Sequence, residues 1–178
     1  MSELIIVTGP PGAGKSTVSR LVAESFPRSA LVSGDVFFRF VIRGYVDPWL
    51  TESHGQNVTV TRAAATAAGL YPTGDYTTVF DGMVGPWFLP TFVEYARREA
   101  VHYAVLLPDL DTCLERVRTR DDHGFRDEAA TRQMHGSFAA ANIESRHVIP
   151  DFPGDPQAAA NEIVRRLETG ALLHGMTT

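Results

Sequence analysis

Lysine is almost missing from this chain. Of its 16 basic residues only Lys15 is a lysine and the other fifteen are arginines, so any mechanism that needs two lysines is excluded. Cysteine is equally scarce. Cys113 stands alone, which rules out a disulfide within the chain and a cysteine-rich zinc site. No apolar run approaches the ~18 residues that a membrane-spanning helix requires. The start, Met-Ser-Glu-Leu-Ile, lacks the charged region that precedes the apolar stretch of a signal peptide. A cytoplasmic location with no membrane partner is the expectation. A basic excess is missing too. Sixteen Lys and Arg face 21 Asp and Glu, for a net charge of −5, which weighs against a general nucleic-acid binder while leaving a local basic groove open.

The 178 residues are 44% hydrophobic and 21% charged, which suits one globular domain. Leu4-Ile5-Ile6-Val7 is a continuous apolar run, as in a strand buried on both faces of a parallel sheet. Further short strands are expected at 30–32, 77–80, 101–107 and 147–149. Between them lie amphipathic helical patterns: Val18, Leu21, Val22 and Phe26; then Leu110, Cys113, Leu114 and Val117, entered at Asp111 or Thr112; then Ala160, Ile163, Val164 and Leu167, capped by Asp155 with Pro156 at the first turn. Strands alternating with helices predict an α/β sandwich around a parallel sheet. Two segments break the rhythm, 35–75 and 119–143, and such insertions usually carry function. The tail after Gly170 offers little to bury and is expected to be loosely held.

Gly9-Pro10-Pro11-Gly12-Ala13-Gly14-Lys15-Ser16 matches the phosphate-binding loop G-x-x-x-x-G-K-[ST], set between an apolar strand and a helix. The glycines let backbone N–H groups, with those of Ala13 and Thr17, curl round a phosphate. The helix start adds its dipole. Lys15 brings a mobile positive charge to the β- and γ-phosphates, and the Ser16 hydroxyl suits Mg²⁺. Asp81 ends the third strand beside this loop; it either holds Mg²⁺ or caps the turn before Gly82. Because Lys15 is committed here, the chain has no guanine-reading [NT]-K-x-D motif. It also has no L-S-G-G-Q-like segment, and transport-type and AAA-type ATPases are larger and act in assemblies. A compact phosphotransferase using a nucleotide and Mg²⁺ remains.

With these motifs the chain resembles the small P-loop kinases: nucleoside monophosphate kinases, shikimate and gluconate kinases, and chloramphenicol phosphotransferase-like proteins. The match rests on the loop, Ser33-Gly34-Asp35, Val79-Phe80-Asp81-Gly82, Arg116–Arg120 and the segment after it. The resemblance implies a three-layer α/β/α P-loop NTPase with a five-stranded parallel sheet of order 2-3-1-4-5. It divides one kinase domain into a core (1–34, 76–118, 144–178), an acceptor-binding insertion (35–75) and a lid (119–143). It implies that Asp35 contacts the attacking hydroxyl as a catalytic base; the alternative is a helix cap paired with Arg39. Asp35, Arg39 and Arg43 are spaced i, i+4, i+8 and share a face if the segment is one helix. By the same resemblance Arg116 stacks on adenine, Arg120 reaches the phosphates, Arg126 approaches the γ-phosphate on a lid hinged at Gly124, and 151–155 borders the adenine. The plain alternatives are a solvated helix laced by acidic residues, to which Arg118 and Arg132 fit best, and an ordinary loop.

Residues 36–49 and 82–92 should wall the acceptor pocket, and both tryptophans, Trp49 and Trp87, lie there. The chain lacks the arginine that nucleoside monophosphate kinases place after the third-strand Asp-Gly, and the glycine triplet of shikimate kinases. A neutral or weakly charged hydroxylated acceptor, sugar-like or an antibiotic, is therefore expected. A nucleotide or polynucleotide 5′-kinase and a non-catalytic ATP-binding regulator are the alternatives. Nothing in the sequence signals an oligomeric state.

Overall fold

The computed structural model describes residues 2–119 and 125–175. Strand β1 (Leu4–Thr8) is buried at all five positions. Two parallel neighbours flank it, β3 (Thr77–Asp81) and β4 (Ala100–Leu106). Outside them lie β2 (Ser29–Ser33) and β5 (Val148–Ile149), so the order is β2-β3-β1-β4-β5, all parallel, as the resemblance implies. The alternation along β1 builds the layers. Ile5 and Val7 pack beneath α1 (Lys15–Glu24) and α7 (Pro156–Glu168), in a core with Val22 and Ile163. Leu4 and Ile6 face the other way, into a core with Phe80, Phe92 and Ala64. That second layer is α3 (His54–Leu70) and α4 (Leu89–Ala96). The two helices touch almost backbone to backbone: a Cβ on Gly69 would sit 2.1 Å from the Ala96 carbonyl oxygen.

The remaining helices are α2 (Gly34–Arg39), α5 (Leu110–Thr119) and α6 (Glu128–Ala140). Short acidic residues start three of the helices. Asp155 Oδ1 accepts from Ala158 N at 2.9 Å and Asp127 Oδ1 from Ala130 N at 2.9 Å. The start of α5 differs from the sequence expectation. It begins at Leu110 because Asp109, not Asp111 or Thr112, provides the acceptor, 2.7 Å from Thr112 N.

The tail also differs as far as Gly175, while Met176, Thr177 and Thr178 lie outside the described residues. Leu172 is fully buried in the α1/α7 core, and Leu173–Gly175 forms β6, antiparallel to the first half of β4. Tyr103 N donates to Leu172 O at 2.9 Å, and Arg146 Nη1 donates to Leu173 O at 2.8 Å. One leucine and one arginine thus hold a segment whose composition suggests a loose end. Beside it, the His147 ring packs against Tyr103 and His174, with Nδ1 2.9 Å from Tyr103 O. A ring nitrogen facing a carbonyl carries the proton, so the neutral Nδ1–H form fits. Burial lowers the pKa of His147 and of His174, with Arg146 adding repulsion to both and Glu144 opposing it.

Two outcomes follow for stability. Leu172→Ala should cost about 2–5 kcal/mol in urea unfolding, the range for a buried leucine. A loose tail would show almost no change. In the unfolded chain the two histidines take up protons near the ordinary value of about 6.5, whereas the fold resists it. Stability should therefore be complete above that pH and fall as pH drops below it, and His147→Gln should flatten the fall in urea titrations between about pH 8 and 5.

Candidate active site

The phosphate loop is set by close approach. Gly12 has φ +81°, and a Cβ there would lie 2.2 Å from the Cys113 carbonyl oxygen; one on Gly9 would lie 2.1 Å from the Leu106 oxygen. Only glycine lets the loop wedge between the end of β4 and the start of α5. Helix α1 then opens at Gly14, in the left-handed region, with no side-chain cap and no acidic residue in its first turn. Its leading N–H groups therefore point at a place suited to an anion. Lys15 Nζ donates to Pro10 O at 3.0 Å, folded across the loop. Arg116 crosses it from α5, with Nη1 3.4 Å from Gly12 O.

Two cavities meet at this loop. One, of about 390 Å³, is lined by Gly14, Thr17, Arg116 and the 150–156 segment. That segment contains the stretch expected to border adenine, and it reaches the cavity through Asp151, Phe152, Gly154 and Asp155. The other, of about 810 Å³, takes Lys15, Ser16, Asp35 and Asp81 at its phosphate-loop end. Sheet register explains that grouping. Asp81 lies across from Val7 on one side and Ser33 on the other, so the ends of β1, β2 and β3 deliver the loop, Asp81 and Asp35 to one edge. Asp81 is nearly buried there, and Asp35 is exposed at the first turn of α2. Ser16 and Asp81 are hard oxygen donors facing one cavity beside Lys15, a set that fits Mg²⁺.

Buried polar contacts hold the wall after β3. Val84 N donates to Thr8 Oγ1 at 2.9 Å, and Tyr103 Oη donates to Val84 O at 2.8 Å, both sealed from solvent. Burial pushes the Tyr103 hydroxyl well above its usual range, so it stays a donor. This brings Met83, Trp87 and Phe88 to the larger cavity. The opposite wall is the 45–50 loop, fastened to the first turn of α3. Gln56 bonds both backbone groups of Val46, at 2.9 and 2.7 Å, and Asn57 Nδ2 donates to Pro48 O at 2.7 Å and to Ser53 Oγ at 2.9 Å. Trp49, on that loop, meets Phe125 edge to face at 5.1 Å, and Gln133 of α6 donates to Trp49 O at 3.0 Å.

Of the residues expected at the acceptor, Asp35, Arg39, Trp49 and Trp87 line this cavity. Arg43 does not. Helix α2 ends at Arg39 and the chain turns away through Gly44 at φ +76°, so the i, i+8 face never forms and Arg43 is exposed. Arg126 is exposed and lies outside both linings, and Arg120 and Gly124 fall outside the described residues. Arg118 forks onto Glu128 at 2.6 and 2.7 Å, and Arg132 reaches the same carboxylate at 4.0 Å, as the plain surface reading has it. Sequence reasoning missed the contribution of α3, where His54, Asn57, Thr61 and Ala64 form one stripe along the cavity. Their spacing of three, four and three residues was the available signal.

In a Trp87→Phe background, where Trp49 is the sole tryptophan, Asn57→Ala should lower stability by about 1–3 kcal/mol, since it strips partners from Pro48 and Ser53. Trp49 emission should shift to longer wavelength as the loop loosens. Unchanged emission would show that the loop does not depend on Asn57.

The model of a family described as "AAA domain" matches residues 4–141. No curated protein matches the sequence. Among solved structures, an unliganded sugar kinase from a Janibacter species is similar, at a TM-score of 0.72 and 17% identity over 94% of this chain and 95% of that one. A gluconokinase from Sinorhizobium meliloti is similar at 0.68 and 18% identity, over 96% and 93%. The tunicamycin resistance protein of Deinococcus radiodurans is similar at 0.67 and 17% identity, over 94% and 96%. These likenesses establish the fold.

Proposed function

Because the chain belongs to the AAA-domain family of P-loop proteins, we propose that it is an ATP-dependent phosphotransferase acting on a hydroxyl of a small molecule. One observation carries this reading: Asp35 and the phosphate loop face the same cavity, while Arg116 and the 150–156 segment line a second one across the loop. A nucleotide in the smaller cavity has its terminal phosphate directed toward the larger, where an acceptor hydroxyl meets Asp35.

Each residue then has a task. The backbone N–H groups of the loop and of the first turn of α1 hold the phosphates, and Lys15 neutralises them by swinging off Pro10. Ser16 and Asp81 would hold Mg²⁺, directly and through its water shell, and the ion would neutralise charge on the β- and γ-phosphates. Asp35 orients the acceptor hydroxyl and takes its proton. The acceptor oxygen forms a bond to the γ-phosphorus, the bond from that phosphorus to the β–γ bridging oxygen breaks, and ADP leaves. Arg39, one turn after Asp35, steadies the incoming acceptor. The net charge of −5 favours a small molecule over a polynucleotide end.

Transfer from labelled ATP to a panel of alcohols, sugars and antibiotics tests this. Asp35→Ala should lose about 10²-fold or more in transfer while still binding ATP. Lys15→Ala should lose nucleotide binding as well. Wild-type transfer by Asp35→Ala would remove Asp35 from the base role, and tight ATP binding with no stimulating acceptor would favour a regulatory protein.

A further inference from the structure

We propose that the acceptor is an amphiphile: a hydroxyl presented to Asp35 on an uncharged body that carries an aromatic ring or an acyl chain. The proposal rests on the kinase reading of the site and names the substrate class that the site takes.

The distribution of charge carries the argument. Among the residues lining the larger cavity, the permanently charged side chains are Lys15, Asp35, Arg39 and Asp81. Lys15, Asp35 and Asp81 sit where the phosphoryl group is handled, and Arg39 lies one helical turn beyond Asp35. Among the described residues the lining beyond Arg39 holds no lysine or arginine, so a carboxylate or phosphate on the acceptor's far side would meet only His54 as a possible cationic partner, and burying an unpaired charge is costly. The far walls carry ring and thioether surface from Trp49, Trp87, Phe88, Phe125, Met83 and Met134, beside uncharged polar groups of Asn57, Thr61, Gln133 and Ser137 that can meet an acceptor's hydroxyls. Flat faces and adaptable sulfur suit a ring or a chain better than the hydroxyl-studded surface of a bare sugar.

Exposure gives an independent second observation. Trp87 is 47% exposed, Tyr45 47% and Leu50 46%, and all three line this one cavity. Apolar surface gathered at one concave place and left in water is binding energy that an apolar ligand collects. Hydrogen bonds fix the walls on both sides, buried ones from Thr8 and Tyr103 onto Val84 and part-buried ones from Gln56 and Asn57 onto the 45–50 loop. These surfaces are therefore held in place before the ligand arrives, which lowers the cost of binding. The volume agrees. About 810 Å³ lies toward the upper end of the ~300–1,000 Å³ typical of cavities for drug-sized molecules.

The two tryptophans, both in this cavity, make binding visible without turnover. Matched pairs are compared: glucose with phenyl glucoside, and glycerol with 3-phenoxypropane-1,2-diol, alongside gluconate and AMP. Tryptophan emission reads binding, and labelled ATP with Mg²⁺ reads transfer. The phenyl member of each pair should bind at least ~10-fold more tightly than its plain partner, since even single methylenes are worth about that in an apolar pocket. Trp87→Ala should bring that preference close to unity with ATP binding unchanged. Equal binding within the pairs, no binding by either phenyl compound, or preference for gluconate or AMP would overturn the proposal. The two readings fail separately. Phenyl compounds that bind with a tryptophan shift but receive no phosphate sink the kinase reading and leave the substrate class standing. Transfer to the plain or anionic compounds alone does the reverse.

Discussion

The site depends on a steric fact about the phosphate loop. Its backbone lies so close to the Leu106 and Cys113 carbonyl oxygens that a single added carbon at Gly9 or Gly12 would collide with them. That contact locks the end of β1 to β4 and α5, and it places Arg116 above the loop. From it follow the two sides of the site. What stands toward α5 and the 150–156 segment forms the smaller cavity, and what stands toward β3 and α2 forms the larger. The central strand has no freedom to shift, being buried throughout and paired on both sides in register.

Around that fixed point the two walls of the larger cavity are built in opposite ways. The wall after β3 is held from inside, by a buried threonine and a buried tyrosine that satisfy both backbone groups of Val84. The 45–50 wall is held from a neighbouring helix, by the carboxamides of Gln56 and Asn57. Gln56 gives and accepts at once, pairing both backbone groups of Val46 as a strand partner would, while Asn57 only donates. The first wall is coupled to the sheet, the second to α3 and, through Gln133 and Trp49, to α6.

Much of this could be read from the chain because its signals are local. The loop motif, the apolar runs of β1 and β4 and the Asp155-Pro156 helix start each depend on residues a few positions apart, and each stands where expected. What went unread depends on distant partners. The face shared by Asp35, Arg39 and Arg43 requires a helix that continues past Phe40, and nothing in the i, i+4 spacing reveals that the chain turns at Gly44. Leu172 looks like part of a weak tail until the α1/α7 core is in place to receive it. The cavity-lining stripe of α3 hides in a helix whose Ala65 and Ala68 are buried in the core with α4 residues, Ala64 serving both core and cavity. Helix α4 begins at Leu89-Pro90 inside the stretch expected to wall the acceptor, and its Phe92 serves both the core and the cavity.

Strand β6 has a consequence beyond anchoring the tail. It covers the first half of the outer edge of β4 at Ala100, Val101 and His102, while β5 covers Val105 and Leu106. Two short strands from different parts of the chain tile one border of the sheet and leave little of it open to a foreign strand. At the opposite border, β2 has β3 on one side and, among the described residues, no strand on the other. Leu31, midway along β2, is 36% exposed. The two borders of the sheet thus differ: the outer edge of β4 is paired along most of its length, and the outer edge of β2 has no strand partner among the described residues.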